Sequence, residues 1–130
     1  MNQAHGTNTA ERNRLYGGEL NSAIATAVVA VYRTYVGRGA TKAQAFYSKN
    51  VVVLLLEDTM TREERSLASV GSVEAARHLR RQLQRTMREP LVGAIEALTG
   101  CKVVAFMGDN QIEPDLVTTL FVLDRAIEDE

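Results

Sequence analysis

The residues best equipped for chemistry in this chain are arginines. Arg77, Arg81, Arg85 and Arg88 step by four, four and three. That spacing puts side chains on one face of an α-helix. Leu79, Leu83 and Met87 each follow an arginine by two residues, about 200° further round the helix. The stripe therefore points away from the apolar side and covers roughly 16 Å of helix. Arg80 flanks it, and within Val73–Arg88 only Glu74 opposes five arginines, a net charge of +4. Planar guanidinium groups bind carboxylates and phosphates bidentately, so such a face suits an acidic partner or an anion. A solvated helix face is the plainer reading. Solubility alone would be served by lysine, however, and the segment has none.

A second candidate is Arg38 in Gly37-Arg38-Gly39. A turn of this kind exposes backbone N–H groups beside a guanidinium and suits an anion. It also serves simply as a helix terminus free to take positive φ. No GxxxxGK[ST] or GxGxxG sequence follows a strand, so it is not a phosphate loop. His5 and His78 have no cysteine or carboxylate at metal-ligand spacing. Cys101 follows a helix-ending glycine and reads as a small residue entering a strand. Asp109, Asn110, Glu113 and Asp115 lack the spacing of a calcium loop and read as a surface turn. No nucleophile elbow is present. We therefore expect no catalytic residue, no metal and no cofactor.

The elements that position these residues follow from periodicity. Residues 1–14 are polar and read as a disordered tail. Leu20, Ile24, Ala27, Val28, Val31 and Tyr35 form an amphipathic helical stripe that Gly37 ends. Ala43–Glu57 reads as a β-hairpin around Ser48-Lys49-Asn50, with Val51–Leu56 apolar without alternation and so expected to be covered on both faces. Thr61-Arg62-Glu63-Glu64 is a capping box opening a short helix. Gly71 interrupts, Ser72 is placed to cap the next helix, and Val73, Ala76, Leu79, Leu83, Met87, Leu91, Ile95 and Leu98 mark its apolar side. Pro90 predicts a kink or break near Glu89, and Gly100 closes the helix. Lys102–Met107 and Leu116–Leu123 read as strands around a polar loop, and residues from Asp124 onward as a frayed end. The order is α-β-β-α-α-β-β: an α+β domain over residues 15–127, with a four-stranded, largely antiparallel sheet and a long kinked helix between two hairpins.

Composition narrows the function. The 130 residues suit one domain, and 45% hydrophobic with 24% charged residues is ordinary for a globular chain. A net charge of −1 and a pI near 6.1 argue against nucleic-acid binding. The strand aromatics Phe46, Tyr47, Phe106 and Phe121 sit in apolar surroundings that suggest core, not a base-stacking platform. The N-terminus shows no signal-peptide core, and the longest strongly apolar run, Val51–Leu56, is far short of a membrane span. The default compartment is the cytoplasm, without direct membrane insertion.

Several segments resemble one family: YVGRGATKAQAF, VVVLLLEDTMTREERSLA, RRQLQRTMREPLVGAIEALTGCKVV and LFVLDR. They look like the MpsC-like proteins, small bacterial proteins long treated as a domain of unknown function. The likeness spans roughly residues 16–127, and Gly37-Arg38-Gly39, Leu98-Thr99-Gly100 and Leu123-Asp124-Arg125 are its most specific pieces. The family is named after an accessory component of a sodium-linked, membrane-potential-generating system, itself similar to two-component inorganic-carbon uptake complexes with an antiporter-like membrane subunit. The resemblance implies a soluble accessory or regulatory protein and supplies no catalytic residue. The expectation is a non-enzymatic cytoplasmic protein, peripheral to the inner membrane through a protein partner, acting as a homo-oligomer with a dimer favoured. The alternative is an anion- or nucleotide-sensing module built on the arginine face.

Overall fold

The computed structural model describes residues 14–37 and 42–128. Residues 1–13 of the expected tail and Arg38 of the Gly-Arg-Gly turn lie outside the described residues. The elements run α1 (Gly17–Val36), β1 (Lys42–Ser48), β2 (Val51–Glu57), α2 (Arg62–Ser69), α3 (Val73–Thr99), β3 (Val103–Gln111) and β4 (Leu116–Leu123). The strands form one antiparallel sheet in the order β1-β2-β4-β3, so β1 and β3 are its edges. The fold is α+β in the expected element order.

Local sequence explains the helix ends. Gly37 and Gly100 take left-handed φ values of 84° and 73° and terminate α1 and α3, a conformation that glycine adopts without a Cβ penalty. Thr61 and Glu64 form the capping box: Glu64 N donates to Thr61 Oγ1 at 3.2 Å, and Thr61 N donates to Glu64 Oε1 at 2.7 Å. Ser72 precedes α3 without a side-chain cap. α3 runs through Pro90 as one unbroken helix. A proline forfeits one intrahelical bond, and the packing of Met87, Leu91 and Ile95 into the core on both sides of it holds the helix together.

The core lies on one side of the sheet. Leu20, Ile24, Val28 and Tyr32 of α1 and Met87, Leu91 and Ile95 of α3 pack with Val52, Leu54, Leu56, Val117, Phe121 and Leu123. Tyr32, not Tyr35, completes the buried line of α1, and Tyr35 is 47% exposed. A smaller cluster of Met60, Ala76 and Ile112 joins α2 to the start of α3.

The other side of the sheet differs from expectation. β2 alternates: Val52, Leu54 and Leu56 are buried, while Val51, Val53 and Leu55 are only partly so. Phe46, read as core, is 53% exposed. The ladder explains it. Phe46 pairs with Val53, Val53 with Leu120, and Leu120 with Met107, and this rung points away from the buried rung of Val52 and Phe121. Side chains alternate faces along a strand, so apolar content alone does not say which face is covered.

Two polar segments are more ordered than their composition suggests. Gly108–Gln111 continues β3 instead of forming loop. The chain after β4 is docked by Ile127, which is buried and donates its N–H to Lys49 O at 2.8 Å, and by Asp124, whose N–H donates to Lys102 O at 2.8 Å.

Candidate functional site: the arginine face of α3

The four stripe arginines share a helix face but not a state. Arg77 reaches Glu74 at 3.4 Å, and its Nε is buried without a hydrogen-bond partner. Arg81 lies 3.6 Å from Asp109 of β3, both side chains being at least half exposed. Arg88 stands over the Phe106 ring, 5.2 Å from its centroid, and Phe106 in turn leans on Phe121 at 5.0 Å. Arg85 is exposed and forms no ion pair among the described residues. Arg81, Arg85 and Arg88 thus form an open cationic tract beside edge strand β3. Exposed ion pairs contribute about 0–1 kcal/mol, so Arg81 can exchange its present carboxylate for a partner's at little cost.

Arg80 departs from the sequence reading. It is not a flank of the exposed stripe: it is 1% exposed, and its Nε and Nη2 hold the two carboxylate oxygens of Glu64 at 2.8 and 2.7 Å. Glu64 is fully buried. The reason lies in helix phase. The buried line of α3 is Ala76, Arg80, Gln84, Met87, Leu91, Ile95 and Thr99. Leu79 and Leu83, chosen for their type, are only partly buried, and Val73 is exposed. The strongly apolar half, Met87 to Ile95, sets the phase. A step of three back from Met87 reaches Gln84, and a further step of four reaches Arg80, a phase masked in the sequence by the apolar type of Leu79 and Leu83.

A buried ion pair must offset the desolvation of two charges, and a bidentate geometry does this best. The pair also joins elements. The capping-box carboxylate of α2 is the carboxylate that Arg80 of α3 grips, so α2 is fixed to α3 through its first turn. Tyr32 of α1 faces the same interior. Burial raises its hydroxyl above the usual tyrosine range, opposed by the nearby charge of Arg80 and by Gln84.

The acidic loop is an anchor as well as a turn. Asp115 accepts from Met60 N at 2.9 Å and from Thr59 Oγ1 at 3.4 Å, and Arg65 approaches it at 3.5 Å. Arg65 also pairs with Asp58. Asp109 is the stripe's own counter-charge. His78 is exposed and meets Gln82, and Cys101 is buried beside Thr99. Arg14, the last residue of the expected tail, donates to Thr99 O and so supplies a partner at the C-terminus of α3.

Fold and site together define a small α+β domain that presents a guanidinium-lined helix face beside a sheet edge. A family model described as "Na+-translocating membrane potential-generating system (MpsC)" matches residues 17–125. The chain belongs to that MpsC family. No curated protein and no solved structure matches it. Among the described residues, no helix is long and apolar enough to cross a membrane.

Proposed function

We propose that this protein is a non-enzymatic accessory or regulatory subunit of a membrane ion-translocating system, held at the membrane by a protein partner. Its own chemistry is recognition: the tract Arg81, Arg85 and Arg88 binds an acidic surface of that partner. The family supports the association with a sodium-translocating, membrane-potential-generating system. The observation that carries the recognition site is the state of these guanidinium groups. They are exposed and aligned over two helical turns, and among the described residues only Arg81 has a carboxylate, at 3.6 Å on an exposed side chain. We include self-association in the reading, because the uncovered sheet face carries an apolar rung of Phe46, Val53, Leu120 and Met107. Inorganic-carbon transport is one setting for this role.

The test is affinity purification from native membranes with the wild-type chain and the Arg81→Glu/Arg85→Glu variant. Recovery of an integral membrane subunit by the first and not by the second supports the reading. A second reading, an anion or nucleotide sensor, draws on the buried, unpartnered Nε of Arg77. It predicts a rise in Tm with millimolar phosphate or nucleotide, because binding to the native state stabilises it by mass action.

A further inference from the structure

On the side of the sheet opposite the helices, one rung is apolar across all four strands, and the next two carry Gln44, Thr118 and Asp109 and then Lys42, Glu57 and Gln111. Phe46 of β1, Val53 and Leu55 of β2, Leu120 of β4 and Met107 of β3 point to this side. None of them belongs to either core cluster, and Phe46 and Met107, the two ends of one rung, are 53% and 55% exposed. Exposed apolar patches of this kind mark interaction sites.

We propose that this face packs against the same face of a second copy, about a two-fold axis that runs parallel to the strands between β2 and β4. The rung order fixes what such an axis brings together. It exchanges the two edges while keeping each rung at its own height. Phe46 then lies on Met107 of the second copy, and Val53 on Leu120. Both exposed side chains are covered, each by the other, and thioether sulfur against an aromatic ring is a favourable contact.

Charge placement selects this axis over the alternatives. Lys42 sits at the rung of Glu57, Leu116 and Gln111, at the β1 edge. The exchange carries it over the β3 edge at Gln111, two residues from Asp109. There the surface has a shallow depression of about 300 Å³, lined by Leu55, Asp109, Asn110, Gln111, Leu116 and Thr118. A lysine stem fits such a partly apolar hollow with its ammonium beside the carboxylate. An axis across the strands would instead set like edge against like edge and leave Asp109 facing the β3 edge of its counterpart.

The size suffices for a specific contact. Four strands about 4.8 Å apart, with seven residues rising about 3.3 Å each, give a flat footprint of roughly 440 Å² per copy. Side-chain relief raises the accessible area above that, so two copies bury about 1,000 Å², where specific interfaces begin. Stacked sheets align within about 30° of each other, so the rung at the axis keeps its match best. The arginine face of α3 stays free and is presented twice.

This inference rests on the self-association included under the proposed function, and it shares Asp109, the counter-charge of Arg81, with the arginine tract. The test is cysteine cross-linking of the full chain, with the wild type as control because Cys101 is buried. Within one chain positions 46 and 107 are three strands apart, roughly 14 Å, beyond the reach of a linker of about 10 Å, the spacing of stacked sheets. With such a short bifunctional thiol cross-linker, Phe46→Cys/Met107→Cys should become a covalent dimer linked 46-to-107, while each single variant should not cross-link. Met107→Asp should weaken dimerisation at least tenfold in sedimentation while leaving the circular dichroism spectrum unchanged. A 46-to-46 link overturns the axis. Normal dimerisation of Met107→Asp together with no 46-to-107 link overturns the face but leaves self-association standing. A wild-type monomer at tens of micromolar overturns both, with partner recovery from membranes still to be judged on its own.

Discussion

Arg80 and Glu64 face each other in the interior with two parallel hydrogen bonds of 2.8 and 2.7 Å, and the same Glu64 oxygen that accepts from Arg80 Nη2 also accepts from the backbone of Thr61. One carboxylate therefore closes the cap of α2 and anchors α3. Removing either partner strands the other charge without solvent. Arg80→Met and Glu64→Gln should each cost about 3–5 kcal/mol. The double variant should be less destabilised than the sum of the two, because neither charge is left alone. Denaturant titration of all three checks this, and additive losses would show that the pair is not coupled.

Tyr32 predicts an alkaline limit to stability. Its folded pKa is raised, chiefly by burial. The native state therefore binds this proton more tightly than the unfolded chain. The stabilisation is complete below the unfolded tyrosine pKa, about 10, and declines as pH rises through the folded value. Tyr32 should ionise late in an ultraviolet absorbance titration. Tyr32→Phe should remove the late step and flatten the stability profile above pH ~10. A Tyr32→Phe profile as steep as the wild type's would assign the loss to other groups.

Two glycines should respond in opposite directions to alanine. A Cβ on Gly108 would meet the Thr118 carbonyl oxygen at 2.5 Å, so the β3–β4 ladder must shift. The cost should be about 1–3 kcal/mol, as for overpacking elsewhere. Gly93 is exposed in the middle of α3 with nothing within 4 Å of an added Cβ. Gly93→Ala should stabilise by about 0.5–1 kcal/mol through helix propensity. Thermal denaturation of the two variants separates these signs.

How much of this was legible in the chain depends on which force fixed each element. Gly37, Gly100 and the Thr61–Glu64 box act within a few residues, so their caps are readable from the sequence. Strand positions were readable too, but not which face of β2 is covered, because Val51–Leu56 is apolar throughout. Arg80 and Gln84 were missed for a different reason. Their burial depends on Glu64 and Tyr32, which are 16 and 48 or more residues away, so the pairing is not readable from the local pattern. The pairing of Arg77 with Glu74 is local to α3, whereas those of Arg81 with Asp109 and of Arg88 with Phe106 required the position of β3. Asp115 looked like a turn residue and is a clamp, since its partners Met60 and Arg65 come from the other side of the sheet sequence.

The arginine tract should be dispensable for folding. Arg81 and Arg85 are exposed, so reversing both should move stability by about 0.5 kcal/mol or less. A matched control must avoid Arg65, which is tied to Asp58 and Asp115. Arg33→Glu/Arg62→Glu reverses two exposed arginines on α1 and α2 instead. Partner binding by the wild type should weaken with added salt, since exposed charges are screened over roughly 8 Å at physiological ionic strength.

The most direct measurement is the yield of an integral membrane subunit recovered from native membranes by the wild type, by Arg81→Glu/Arg85→Glu and by Arg33→Glu/Arg62→Glu, each confirmed folded by circular dichroism. Charge reversal against an acidic partner replaces attraction by repulsion. The wild type and the control pair should recover the subunit equally, and the stripe variant at least tenfold less. Equal recovery by all three, or none by the wild type, would contradict recognition through the arginine face.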